Sequence, residues 1–194
     1  MSTSALDIAF KSFDQHIDLS DEEKRTFESL IEVVEIEKRR HVLKAGQVCK
    51  YEYFVLEGCL RSYYVDEEAI EHTTMFAAEG WWTGNLKSFM RVIPSDFYLE
   101  TLENSKLLRL GKGAVEELYL KVPKFERYFR ILLQNRLLST QERISNHLSA
   151  TAKERYLKFI KTHPNLIQRV PLKHIASYLG ITPTYLSRLR ASKN

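Results

Sequence analysis

The sequence predicts an α+β chain: an antiparallel β-roll led in by short helices, then a long connecting helix, then a carboxy-terminal helix-turn-helix. Three observations carry this expectation. Short runs of alternating apolar and polar residues, separated by Gly and Pro, fill residues 32 to 110. A sustained apolar stripe follows over about 25 residues, roughly 37 Å of helix at 1.5 Å per residue. The chain then carries PLKHIASYLGITPTYLSRLR at 171 to 190, where an amphipathic helix is broken at Gly180 and restarted at once.

Residues 4 to 31 read as a helical lead-in. Within it Ser20 stands three residues before Glu23, the spacing of a capping box that opens a second short helix. The runs that follow are VEIEKRR, YFVLEG, CLRSYYVD, IEHTTMF, FYLETL and KLLRL, punctuated by Gly46, Gly58, the acidic turn DEEA, Gly80 and Pro94. Strands at intervals of about 8 to 12 residues, with turn residues between them, predict an antiparallel barrel or sandwich of about 80 residues.

The helical texture returns over 113 to 149. Phe125, Phe129, Leu133, Leu137, Thr140 and Ile144 recur on one stripe, with Leu132 and Leu148 beside it. Such a helix is too long to lie wholly on a small barrel, and a sustained seam of this kind predicts pairing with its twin in a homodimer. The polar SNHLSATAKER reads as a hinge. Thr151 and Glu154 have capping-box spacing for a helix whose inner face includes Tyr156, Phe159 and Ile160. The expected boundaries are therefore 1–112 for the roll and its lead-in, 113–149 for the connecting helix, and 150–194 for the last domain.

In that domain Leu172, Ile175, Ala176 and Leu179 gather on one side of a first helix. Gly180 accepts positive φ without steric cost and ends it. Thr182 can cap the next helix and Pro183 suits its first position, where no N–H is required. Leu186 and Leu189 then fall on the inner side. Two short helices joined by a three- or four-residue turn containing Gly make a helix-turn-helix, with small Ala176 where the pair approach closely. A β-wing is expected before the motif, around LIQRV, or not at all.

Charge separates a DNA-binding unit from a plain helical hairpin. Residues 151 to 194 hold nine basic side chains against one acidic, Glu154, whereas residues 1 to 150 hold 20 basic against 24 acidic. A segment so one-sided attracts phosphate backbones. The same composition argues against other classes. No apolar run approaches the roughly 18 to 20 residues needed to cross a bilayer, and the amino terminus lacks the basic start and apolar core of an export signal. No helix of the basic segment pairs a wide apolar face with a basic one, as a membrane anchor would. Only Cys49 and Cys59 are present, too few for a disulfide framework and consistent with a reducing cytoplasm.

The order of β-roll, long helix and helix-turn-helix resembles the cyclic-AMP receptor protein and FNR (Crp/Fnr) family of bacterial transcription regulators. The residues that carry the resemblance are VLKAGQ at 42–47, YFVLEGCLRSYYVD at 53–66, WWTGNL at 81–86 and IASYLGITPTYLSRL at 175–189. It implies a cyclic-nucleotide-binding-like roll, a dimerisation helix and a helix-turn-helix (winged-helix-like) domain. It also implies a cytoplasmic homodimer that binds double-stranded DNA at a palindromic operator and recruits or blocks RNA polymerase.

The resemblance places an effector pocket against Trp82, Thr83, Gly84, Asn85, Leu86, Ser95 and Asp96. In the family a carboxylate follows the glycine to hold the ribose hydroxyl, and an arginine follows the proline to hold the cyclic phosphate. This chain has Asn85 and Ser95 there, and Asp96 would repel phosphate; Arg91 or Lys87 would have to substitute from shifted positions. Cyclic AMP is thus not expected to bind in the usual mode, and no cofactor is predicted. Trp81, Trp82, Phe76 and Phe97 read either as barrel core or as the lining for another small molecule. Iron–sulfur sensing would want four thiolates where two cysteines stand, and the six scattered histidines, His41 and His72 among them, show no metal-ligand spacing.

For DNA, the second helix should enter the major groove with Thr184, Tyr185, Ser187 and Arg188 outward. Arg188 falls where the family carries a base-reading arginine and suits bidentate contact with guanine. Thr184 replaces the family's glutamate, so the family's usual operator is not assumed. Lys173, Thr182, Pro183 and Arg190 complete the expected surface, the polar ones on phosphates. Two other readings are a cupin-like binding protein or enzyme whose basic tail mediates protein contacts, and a regulator that binds DNA without sensing. The first needs a metal constellation or acid–base pair in the roll, and none is visible; non-enzymatic regulation is the reading retained.

Overall fold

The computed structural model describes residues 6–191. Two helices, α1 (Asp7–Phe13) and α2 (Asp21–Leu30), lead into strands β1 (Glu32–Ile36), β2 (His41–Leu43), β3 (Tyr51–Glu57), β4 (Leu60–Val65), β5 (Glu71–Ala77) and β6 (Trp82–Thr83). A short helix α3 (Leu86–Arg91) separates these from β7 (Tyr98–Thr101) and β8 (Ser105–Gly111). The remainder is helical: α4 (Lys112–Lys121), α5 (Lys124–Ser149), α6 (Ala152–Thr162), α7 (Leu166–Arg169), α8 (Leu172–Leu179) and α9 (Pro183–Ala191).

The strands form two four-stranded sheets, ordered β1-β8-β3-β6 and β2-β7-β4-β5. Antiparallel pairing of β8 with both β1 and β3 places Leu108 opposite Val33 on one side and Phe54 on the other. β8 alternates only in part: adjacent Leu107 and Leu108 are both wholly buried, and beyond them Arg109 reaches out to Glu32 while Leu110 is buried. The two-residue β6, too short to leave a period, is identified only by its pairing with Tyr53 and Phe54.

By contacts the chain divides into two compact units, Met1–Ser62 with Phe76–Gln134, and Tyr63–Met75 with Asn135–Asn194. The division differs from the boundaries expected from sequence. It falls within α5 and assigns the tip of the β4–β5 hairpin to the unit that holds the last helices.

The first unit closes on an aromatic core. Phe13 of α1 stands edge-on to Phe27, Phe125 and Tyr128 at centroid distances of 4.9, 5.2 and 4.9 Å, and Phe27 stacks on Phe125 at 5.3 Å. Such geometries suit the ring quadrupole and add to the large area each ring buries. Trp82 Nε1 donates to the Tyr128 hydroxyl at 3.1 Å, and that hydroxyl shares a hydrogen bond with Ser12. Burial without a charge partner raises the Tyr128 pKa, so the phenol stays protonated. α2 opens with the expected capping box, Ser20 accepting from the Glu23 N–H and the Glu23 carboxylate accepting from the Ser20 N–H.

Two expectations need correction here. The helical stretch after the roll is two helices, because Pro123 cannot continue α4 and the chain restarts at Lys124. Phe125, assigned to the dimer seam by its spacing, is wholly buried in the core just described, and Phe129 packs partly buried on the same core. The stripe therefore turns from core to surface along α5: Leu133, Leu137, Ile144 and Leu148 are 45, 58, 55 and 84% exposed. Of the two alternatives for a β-wing, around LIQRV or none, the first does not hold: LIQRV is the helical turn α7, whose Leu166 carbonyl accepts from the Val170 N–H.

In the second unit the hinge is shorter than SNHLSATAKER suggests. α5 stays helical through Ser149, and only Ala150 and Thr151 intervene before α6. Thr151 and Glu154 make the reciprocal cap that their spacing predicts. Tyr156 and Phe159 of α6, Leu166 and Val170 around α7, and Ile175, Ala176, Leu179 and Leu186 of the last two helices are buried, as is Tyr63 of β4.

Candidate nucleic-acid interface and sensor cassette

The turn between α8 and α9 has the geometry its residues dictate. Gly180 sits at φ 66°, and its N–H reaches the carbonyls of Ala176 and Ser177. The Ile181 N–H also returns to the Ala176 carbonyl, so the terminal carbonyls of Ala176 and Ser177 are both used. The Thr182 hydroxyl accepts from the Tyr185 N–H at 3.2 Å, and Pro183 opens α9. Leu186 is fully buried and Leu189 half-buried, which anchors one side of α9.

At about 100° per residue, Thr184 and Arg188 then lie opposite Leu186, flanked by Tyr185 and Ser187. All four are exposed, as are Lys173, Thr182, Pro183 and Arg190. The residues expected to meet DNA are thus all exposed, with Pro183 and Arg190 turned toward the Leu186 side of α9 rather than the Thr184–Arg188 side. No acidic residue lies in α9 or in the turn before it.

Several residues that position the pair carry no signal of that role in the sequence. The Arg155 guanidinium donates to the Leu179 carbonyl at 3.1 Å and the Ala150 carbonyl at 2.7 Å, joining the end of α8 to the end of α5. Arg143 lies 5.5 Å from the Tyr178 ring centroid, and Lys158 pairs with Glu142 at 3.0 Å. A Cβ on Gly180 would come within 3.5 Å of the His147 ring, so the turn packs closely on α5. Ser177 Oγ accepts from the Thr73 N–H at 2.9 Å and donates to the Glu71 carbonyl at 2.8 Å, satisfying both backbone groups of an edge strand with one hydroxyl. Ser177→Ala should leave the Thr73 amide without this acceptor, at a cost of about 1–3 kcal/mol. Hydrogen exchange at Thr73 is the measurement, and unchanged protection would refute the contact.

The second candidate region is the α3 cassette of the first unit. Asn85 caps α3, its Oδ1 accepting from the Ser88 N–H at 3.0 Å. Its amide nitrogen donates to Ser95 Oγ at 2.8 Å and to Asp96 Oδ1 at 3.1 Å. Ser95 Oγ also accepts from the Phe97 N–H and donates to the Phe97 carbonyl. Asn85 is 7% exposed and Ser95 4%, so these are buried groups with their capacity spent on each other.

Asp96 completes the set with Lys87, at 3.1 Å, and the Lys87 ammonium and the Asn85 amide together hold its carboxyl below the usual range. At the far end of α3 Val92 takes a left-handed conformation, φ 55°, uncommon for a β-branched residue. Ser88 holds this turn by donating to the Ile93 carbonyl at 2.6 Å and accepting from the Cys49 N–H at 2.8 Å. Gly84 admits the Glu52 carboxylate, which a Cβ would approach to 2.8 Å.

The other expected pocket residues are dispersed. Thr83 is fully buried, Trp82 belongs to the aromatic core against Phe54 and Phe129, and Leu86 is 37% exposed. Trp81, weighed as lining, is 45% exposed, while Phe76 is buried. Arg91, weighed as a substitute for the family's phosphate-binding arginine, is exposed, and Lys87 is engaged by Asp96. Cys49 and Cys59 are buried thiols, and burial raises the pKa of Cys49. His72 is held by Asp66 at 2.6 Å and stacks on Tyr64.

Comparison with known proteins agrees with this anatomy. Residues 33–121 match the family model for the cyclic nucleotide-binding domain. The chain is 27% identical over 168 residues to the anaerobic regulatory protein of Aggregatibacter actinomycetemcomitans, covering 79% of this chain and 63% of that protein. It is 25% identical over 170 residues to the fumarate and nitrate reduction regulatory protein of Vibrio cholerae, covering 79% and 65%. Among solved structures, the c-di-GMP responsive global regulator CLP of Xanthomonas campestris shares the fold at a TM-score of 0.73 and 15% identity, covering 89% of this chain and 91% of that one.

The chain is similar to Crp/Fnr-type regulators and carries a match to the cyclic nucleotide-binding domain. Its match spans just under two thirds of the length of the curated relatives named above. Those relatives are regulators rather than enzymes. No helix among the described residues of the chain is long and apolar enough to cross a membrane. Its cassette does not fit a cyclic nucleotide in the manner the family resemblance implies. The positions for ribose and phosphate carry an amide and a hydroxyl that are hydrogen-bonded to each other, beside a carboxylate.

Proposed function

We propose that this chain is a cytoplasmic, homodimeric DNA-binding transcription regulator that reads a palindromic operator with α9 and acts by recruiting or blocking RNA polymerase. The observation that carries this reading is the helix pair itself. α9 is anchored by Leu186, exposes Thr184, Tyr185, Ser187 and Arg188, and belongs to a segment with nine basic side chains and one acidic. A cationic rod of that width, with hydroxyl and guanidinium groups outward, suits the major groove.

Dimerisation runs through the exposed part of α5. Leu133, Leu137, Thr140 and Ile144 follow one another at spacings of four, three and four, the repeat of a coiled-coil seam. Twofold symmetry then presents two copies of α9 to half-sites about 10 base pairs apart. Lys173, Thr182 and Arg190 hold phosphates and set register, and Arg188 reads guanine.

Selection of duplexes from a random pool by the purified chain tests this directly. The expected product is an inverted repeat with one helical turn between half-site centres, bound with an affinity that falls steeply with salt. Failure to enrich any sequence, even in dilute buffer, overturns the reading.

A further inference from the structure

The cassette's disagreement with a cyclic nucleotide leads to a specific inference about what holds it in place. We infer that Asp96 is the cassette's own anion, closing α3 onto the roll through Asn85, Ser95 and Lys87, so that the sensor is ordered without a cyclic nucleotide.

The geometry is that of a filled site. Asn85 uses its carbonyl oxygen on the Ser88 N–H and divides its amide hydrogens between Ser95 and Asp96. Ser95 is fixed twice more by its backbone, its N–H donating to the Gln47 carbonyl and its carbonyl accepting from the Gly46 N–H, both at 2.8 Å. These bonds tie the segment after α3 to the turn that follows β2. Asn85 and Ser95 are buried, and their contacts with each other and with Ser88, Asp96 and Phe97 satisfy them. The Asp96 carboxylate receives one buried donor, the Asn85 amide, and one exposed donor, the Lys87 ammonium. Those are the donor types, an amide and a cation, that would receive a ligand's anionic group. An incoming phosphate would have to displace Asp96 and meet its charge.

α3 is therefore capped, its ends are hydrogen-bonded, and its Lys87 and Ser88 side chains are paired. The second half of the inference rests on the proposed DNA-binding function: cyclic AMP and cyclic GMP do not change the protein's affinity for its operator.

A donor–acceptor exchange tests the contact. Asn85→Asp sets two carboxylates against each other at the same N-cap, whereas Asn85→Asp with Asp96→Asn restores one amide and one carboxylate in reversed order. Hydrogen exchange across residues 86–97 should accelerate at least about tenfold in the single variant and return most of the way in the double variant. Exchange in α9 serves as the internal control and should not move. Asp96→Ala, which keeps the buried Asn85–Ser95 pair, should give a smaller acceleration confined to the same segment. A single variant as protected as the parent, or a double variant no better protected than the single one, refutes Asp96 as the internal anion. If Asn85→Asp does not fold, recovery of folding in the double variant decides the same point.

The second arm measures operator affinity of the unmodified protein with and without millimolar cyclic AMP or cyclic GMP. Stimulation by either overturns the inference even where operator binding itself stands. Absence of any DNA binding overturns only the functional reading, and the exchange results still decide the cassette.

Discussion

Leu137→Asp is expected to turn the protein into a monomer and to abolish operator binding at concentrations where the parent saturates. Leu137 is 58% exposed in the single chain, flanked along α5 by Leu133, Leu138 and Ile144, which are 45, 57 and 55% exposed. A surface helix in water does not ordinarily present such a run, and the parts of α5 buried in its own unit are upstream, at Phe125 and Tyr128. Burying a leucine contributes about 1.5–3 kcal/mol, and each dimer would lose two while gaining two charges in an apolar seam. The dimer dissociation constant should therefore rise by about 100-fold or more, at 1.4 kcal/mol per tenfold. Sedimentation across a concentration series measures it. The helical content and melting of the monomer should not fall, because Leu137 is not part of either unit's buried core. A variant that stays dimeric at the parent's concentration range removes α5 from the interface.

The same helix illustrates what could be read from residues alone. Local devices were legible, because they depend on side chains a few positions apart. The caps at Ser20–Glu23 and Thr151–Glu154, the left-handed Gly180 and the Thr182–Pro183 restart follow from short-range backbone chemistry and stand as expected. The longer strands were legible through their alternation, and β6 was not, with only two residues to show a period. The α5 stripe was legible as a stripe but not in its allegiance. Phe125 and Leu137 have the same chemistry and compatible spacing, and only the position of α1 and α2 decides that the first is core and the second is surface.

The cassette shows a different limit. Residue types at 85, 95 and 96 already argued against a cyclic phosphate. That they would bind one another depended on the return of the chain at Gly46–Gln47, which is a tertiary event. Ser177 is the plainest case: a serine in the middle of α8 has no sequence mark that distinguishes solvation from a bridge to Glu71 and Thr73.

Arg188→Ala is expected to weaken binding to the selected operator by about 1–3 kcal/mol per half-site, roughly 5- to 150-fold, and to relax the choice of base at one position in each half-site. The side chain stands one turn beyond Thr184 on the exposed side of α9, directly opposite the buried Leu186. A guanidinium there can donate two parallel hydrogen bonds to guanine O6 and N7, which no other base pair offers in that arrangement. Arg188→Lys separates this from simple attraction, since it keeps the charge and loses the planar fork. Lysine should therefore recover binding to random duplex but only part of the preference for the operator. Lys173→Ala, at a position assigned to phosphate, should behave in the opposite way: weaker binding to every sequence, a slope against log salt shallower by about 1, and unchanged base preference. Measured together, the three variants distinguish a helix that reads sequence from one that only follows charge. If Arg188→Ala loses as much on random duplex as on the operator, Arg188 holds the backbone and the reading must lie with Thr184, Tyr185 and Ser187.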